Sequence, residues 1–326
     1  MSGEIIVKDT VNEVADSASF WHNIFVGSQG IRSGWRLTIF LFILAGSGFA
    51  VFAIVQSIPA AAHIFDQRSH LSPSLEYLTE IPAAICVLVS SMAMARIEKR
   101  GLGDYGLSLR RGAGKHFLWG LLWGLCVFSS VIVLIAVLQG FSFGGLALHG
   151  LALLKYASLW AISFLLVGFV EEFLYRGYVQ FTLAQAFGFW PAAIVWSLAF
   201  GAVHLLNPGE NLVGALEVFL FALFACLTLR RTGTLWFAIG FHAAGDYAET
   251  FLFSVRDSGY AASGTLLNSS FQGPEWLTGG RVGPEASVIS MLALVVTMFC
   301  FHILYRQVSR QELGTTGSPF GVTSQA

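Results

Sequence analysis

The stretch Trp35–Gln56, WRLTIFLFILAGSGFAVFAIVQ, decides the fold class. Arg36 is its only charged residue, and the rest is almost wholly apolar. A helix of about 20 such residues spans the roughly 30 Å hydrocarbon core of a bilayer. Working outward, further stretches read the same way: Ile81–Met94, Phe117–Leu138, Leu159–Val170 with a continuation, Trp190–Leu206, Leu212–Leu229, Leu235–Phe253 and Val288–Tyr305. The expected architecture is all-α, a polytopic membrane helical bundle of about eight transmembrane helices enclosing a polar cavity.

Composition agrees. Of the 326 residues, 55% are hydrophobic and 11% charged, where a soluble protein carries about 25% charged residues. Mean hydropathy is +0.69. These values exclude a water-soluble globular enzyme, and an aromatic content of 14% excludes disorder. A net charge of -1 offers no basic surface, so no nucleic-acid partner is expected. Cys86, Cys126, Cys226 and Cys300 each fall in an apolar run without metal-like spacing and read as small buried hydrophobes. The first thirty residues hold Glu4, Lys8, Asp9, Glu13 and Asp16 and lack the pattern of a cleavable signal peptide, which leaves insertion to the first span.

Positive charge orients such a bundle. Arg96, Lys99, Arg100, Arg110, Arg111 and Lys115 lie between the second and third spans, and Arg230 and Arg231 between the sixth and seventh. Arg32 and Arg36 flank the first span, Arg306 and Arg310 the last. With eight helices all of these fall on one side, so both termini are expected in the cytoplasm. The chain then divides into a cytoplasmic segment (1–34), N-terminal spans (35–150), a core (151–253), a Gly-, Ser- and Pro-rich non-cytoplasmic loop (254–285), the last span (286–306) and a disordered tail (307–326).

Ionisable groups inside a bilayer are costly and mark function by default. Glu171, Glu172, His204, His242 and Asp246 stand out, with Arg176 after the glutamates. Glu172 and Arg176 are four residues apart on one helix face and can pair, which leaves Glu171 free. His242 and Asp246 have the same spacing. Along antiparallel neighbours, Glu171 and His204 lie about equally far from the turn near Gly188–Pro191, so the groups can share a cavity in the cytoplasmic half or middle of the membrane. A carboxylate kept from bulk water suits a general base; histidines bind metal, pass protons or stabilise an oxyanion. The set fits activation of water for hydrolysis. It also matches a zinc ligand inventory, although no HExxH is present. Glu172 with Arg176 reads equally as a structural ion pair. Glu217, about two turns into the sixth span, has two readings: it snorkels outward or pairs with a histidine.

At these residues the sequence resembles the CPBP intramembrane proteases, which include the type II CAAX prenyl endopeptidases. Glu171-Glu172-Phe-Leu-Tyr-Arg176 matches their EExxxR motif, Phe200-Gly-Ala-Val-His204 their FxxxH and His242-Ala-Ala-Gly-Asp246 their HxxxN/D. Arg231-Thr-Gly-Thr-Leu-Trp236 resembles the usual lead into the third motif, and Pro274–Gly280 a loop of some bacterial members. The resemblance makes residues 151–253 a catalytic core around a polar cavity. It implies an intramembrane endopeptidase acting on a membrane-associated protein or peptide, prenylated CAAX-type or leader-bearing, in a bacterial cell membrane. Glu171 would activate water, His204 would hold it or bind a metal, and His242 with Asp246 would stabilise the oxyanion. Glu172 and Arg176 would set the geometry.

One departure matters: position 246 is Asp where the prenyl endopeptidases have Asn, and an ionised Asp donates no hydrogen bond. Asp246 is then protonated, or orients His242, or ligates a metal. A Zn2+ site drawn from Glu171, His204, His242 and Asp246 and a metal-free glutamate mechanism both stay open. The competing functions are a non-catalytic partner-binding or immunity module and a proton-coupled transporter.

Overall fold

The computed structural model describes residues 25–27, 30–66 and 70–305. The expected cytoplasmic segment lies outside them up to residue 24, as do the tail at 307–326 and Arg306 and Arg310.

The chain forms α1 (Ser33–Gln56), α2 (Pro73–Glu98), α3 (Ala113–Val137), α4 (Gly150–Phe173), α5 (Gln180–Phe187), α6 (Phe189–His204), α7 (Leu212–Thr232), α8 (Trp236–Asp246) and α9 (Val288–Leu304). A π-helical turn at Leu174–Val179 joins α4 to α5 without a break, and another at Tyr247–Leu252 prolongs α8. Each expected span is helical. Among the described residues, five helices are long and apolar enough to cross a membrane: α1, α2, α3, the joined α4–α5, and α7. Helices α6 and α9 are apolar but shorter. The protein is an integral membrane α-helical bundle. Its outer surface exposes Phe42, Phe49, Leu212, Val296 and Phe299, a pattern that water would penalise and lipid accepts.

Local sequence sets the helix ends. Ser72 accepts a hydrogen bond from the Leu75 amide ahead of Pro73, Asn211 caps α7 through the Val213 and Gly214 amides, and Ser287 caps α9 through the Ser290 amide. Gly233, at φ +70°, ends α7 in the left-handed conformation that glycine adopts without strain. Arg36 sits in the first turn of α1. There it clasps the Glu98 carboxylate at 2.7 and 2.6 Å, and the Tyr178 hydroxyl donates to the same group. Cys86 and Cys226 are buried as expected, whereas Cys126 and Cys300 are exposed on lipid-facing helix sides. There a small apolar thiol meets a solvent as apolar as the core.

Helix α8 runs through the centre, against α3 on one side and α4 on the other. The approach to α3 depends on glycine: a Cβ at Gly120 or Gly124 would collide with the carbonyl oxygens of Phe237 and Phe241, and one at Gly240 with that of Phe117. Membrane helices associate through such small-residue contacts because lipid supplies no hydrophobic driving force between them. Gly124→Leu is expected to cost about 3 kcal/mol, the upper end of the usual overpacking cost, since the backbones must part to admit the side chain. A wild-type melting temperature for this variant in detergent would contradict the packing.

The basic connections gather at one end. The Leu235 amide bonds the Gly106 carbonyl at 2.9 Å, the Trp236 indole bonds the Ser108 carbonyl at 3.1 Å, and the Arg230 guanidinium lies 5.1 Å from the Phe189 ring centre. At the other end, the segment between α8 and α9 packs beneath the bundle. Ser270–Phe271 pairs with Phe141–Ser142, and the Leu71 amide donates to the Ala261 carbonyl at 2.8 Å.

Candidate active site

Two glutamates adjacent in sequence have opposite environments. The Glu172 side chain is fully buried, while that of Glu171 is 30% exposed and turned into a cavity. Helical geometry separates neighbours by about 100°, enough to place one in the packed interior and the other on the cavity wall. Arg176 donates from Nη1 to Glu172 Oε1 at 3.3 Å, which is the pair read from the spacing. The same oxygen lies 3.0 Å from His242 Nδ1. Arg176 is itself buried, its guanidinium 4.2 Å from the Phe200 ring centre. The Phe of FxxxH and the Arg of EExxxR are thus in contact.

Because a carboxylate only accepts, the His242 proton facing Glu172 resides on Nδ1. Nε2 then points toward Glu171 Oε2 at 3.7 Å and Asp246 Oδ2 at 3.5 Å. Asp246 does not hold His242 from behind; Glu172 does, and Asp246 stands beside the nitrogen that faces the cavity. His204, the last residue of α6, engages the Phe200 carbonyl through Nδ1 at 2.9 Å, which leaves Nε2 as its free ring nitrogen. All four of Glu171, His204, His242 and Asp246 line one cavity of about 460 Å³.

From these residues the cavity extends to the end of the bundle opposite the basic connections, where Asp257, Ser258, Tyr260 and Glu285 of the segment between α8 and α9 floor it. His204 ends its helix 16 residues from the turn at Gly188, so the site is carried far from that turn.

Other acids on its wall escaped the sequence reading. Glu76 and Glu80 occupy the first turns of α2, which starts at Pro73, not Ile81. A hydropathy window trims acids from a span and cannot tell one facing a cavity from one in water. The available signal was their four-residue spacing behind the Ser72-Pro73 helix start. Glu217 neither snorkels nor meets a histidine: it is buried on the cavity wall, and Ser290 of α9 donates to it at 2.8 Å. Outside the spanning helices, burial pushes the Asp257 carboxyl up to about 6 and that of Glu285 well above the usual carboxylate range.

Tetrahedral Zn2+ at about 2.0–2.1 Å needs ligand atoms about 3.4 Å apart. Among the described residues, no three donor atoms of Glu171, His204, His242 and Asp246 lie within 4.8 Å of one another; the set that does so is Glu249, Asp257 and Glu285. As placed, these four side chains do not bring three donor atoms to the spacing that tetrahedral zinc requires.

No curated protein matches the chain. The family model "Type II CAAX prenyl endopeptidase Rce1-like" matches residues 152–248, a segment that begins in α4 and closes just after Asp246, and contains every motif residue described above. The order of the motifs, the pairing within them and this match agree: in this α-helical integral membrane protein, residues 152–248 are similar to the Rce1-like type II CAAX prenyl endopeptidases.

Proposed function

We propose that the protein is an intramembrane endopeptidase that hydrolyses a peptide bond of a membrane-associated protein or peptide with water activated by Glu171. The observation that carries this reading is the division of labour between the glutamates. Glu172 is consumed by Arg176 and His242, while Glu171 stands in the cavity within 3.7 Å of the nitrogen of His242 that Glu172 leaves free.

In this mechanism water sits between the Glu171 carboxylate and His204 Nε2. Glu171 takes its proton as the oxygen attacks the scissile carbonyl carbon. The carbonyl oxygen becomes an oxyanion facing His242, whose imidazolium donates from Nε2 while Glu172 fixes the ring through Nδ1. The carbon–nitrogen bond then breaks, and Glu171 returns its proton to the departing amine. No metal enters any step. Asp246 offsets the imidazolium charge and, in its protonated form, donates alongside it. Asp246→Asn keeps a donor there and is expected to retain activity within about tenfold of wild type, whereas Asp246→Ala loses about 10²-fold. Equal loss in both variants would rule out the donor role.

The basic connections favour a cytoplasmic placement of their end of the bundle and of both termini. The substrate is held in the bilayer, prenylated at a CAAX terminus where the host makes such proteins and leader-bearing otherwise. The test uses protein reconstituted in liposomes with solubilised membrane proteins of the source cells, and mass spectrometry of new termini. Defined cuts absent with His242→Ala support the reading; identical termini with both proteins would refute it.

A further inference from the structure

Beyond the motifs, a second group of ionisable side chains converges at the floor of the bundle. Glu249 comes from the π-helical turn after α8, Asp257 from the irregular segment that follows, and Glu285 from the short 3-10 turn before α9. One carboxylate oxygen of each lies within 4.8 Å of the other two, and all three residues are buried. Among the described residues, no Lys or Arg forms an ion pair with any of them.

Two of the three have hydrogen-bond donors: Thr250 donates to Asp257 at 2.9 Å, and the Ser258 amide donates to Glu285 at 2.6 Å. Glu249 has none. It is 1% exposed, neither carboxylate oxygen has a hydrogen-bond partner, and it is aimed at the other two. An unpartnered carboxylate buried this deeply is costly, and beside two further acids it is costlier still. The arrangement lacks positive charge at the point where the three meet.

We propose that Glu249, Asp257 and Glu285 form a binding site for a divalent cation of the calcium class. The donor set is entirely oxygen, which suits hard cations and disfavours zinc and copper. Ca2+ takes six to eight oxygens at about 2.3–2.6 Å, so its ligand atoms stand up to about 5 Å apart, as these do; Mg2+ prefers one or two carboxylates and retains its waters. The cation joins the end of α8, the floor segment and the start of α9. It thereby fixes the wall on which Asp257 and Glu285 meet the cavity, one turn beyond Asp246. The site lies outside residues 152–248 and does not depend on the proposed hydrolysis.

The test is made on the full chain in lipid nanodiscs after treatment with EDTA. Tb3+ is added as a luminescent probe excited through nearby aromatic residues such as Tyr260, and Ca2+ is then titrated to displace it. Equilibrium dialysis with radioactive Ca2+ gives the stoichiometry. The expected result is one Ca2+ per chain, affinity reduced at least tenfold in both Glu249→Gln and Asp257→Asn, and unchanged binding in Glu171→Gln. Wild type is also expected to resist trypsin at Arg256 and Arg281 when Ca2+ is present, a readout that needs no variant to fold. Absence of Ca2+ binding by wild type at millimolar concentration would overturn the proposal and leave the carboxylates to share protons. Binding unaffected by either variant would overturn it as well, and displacement of Tb3+ by Mg2+ as readily as by Ca2+ would overturn the assignment to calcium.

Discussion

Replacing Glu171 by Gln is expected to reduce cleavage at least about 10³-fold while leaving the amount of folded protein and its melting temperature unchanged. The first half follows from chemistry: an amide accepts no proton from water, and a positioned general base contributes about 10²–10⁴-fold. The second half follows from the setting. The Glu171 side chain is 30% exposed in the cavity, with His242 Nε2 at 3.7 Å, so an isosteric amide removes no packing. Cleavage measured on a matched quantity of folded protein separates the two. A variant that cleaves normally would remove Glu171 from the mechanism; one that fails to fold would make it structural.

Arg176→Ala should do the reverse and strike the fold first. Arg176 and Glu172 are both buried, and their 3.3 Å contact supplies the charge that keeps Glu172 tolerable in the interior. Removing one partner of a buried pair costs about 3–5 kcal/mol because the other charge is left uncompensated. Here truncation also empties the space beside the Phe200 ring. A much lowered melting temperature is expected, with activity lost even in the surviving folded fraction, because Glu172 no longer presents a fixed oxygen to His242 Nδ1. The double variant Glu172→Gln with Arg176→Leu removes both charges and should recover part of the stability without recovering activity. Wild-type stability in the single variant would show that the pair contributes nothing.

Why the sequence displays some of this and conceals the rest has physical reasons. Spans such as Trp35–Gln56 are legible because a bilayer demands a long apolar run, and the motif residues because few charges occur inside one. The opposite roles of Glu171 and Glu172 follow from a rotation of about 100° per residue and the position of Arg176. The bond from His242 to Glu172 is not legible: it depends on how α8 lies against α4, and the two residues are 70 positions apart in sequence. The acids Glu249, Asp257 and Glu285 meet through an irregular segment without periodicity, so nothing in their separation announces a cluster. Ser290 as the partner of Glu217 is hidden for the same reason, being 73 positions away on another helix. Glu76 and Glu80 fall to the opposite problem: local composition places them outside a span that in fact contains them.

The central claim is that this cavity cuts peptide bonds and that Glu171 is the group that activates water. Its most direct test compares protein termini across membranes of source cells that express either wild type or Glu171→Gln at matched levels. The account predicts a defined set of termini that vanish with the variant, accompanied by the longer, uncut forms of the same proteins. An unchanged set of termini at matched expression would contradict it.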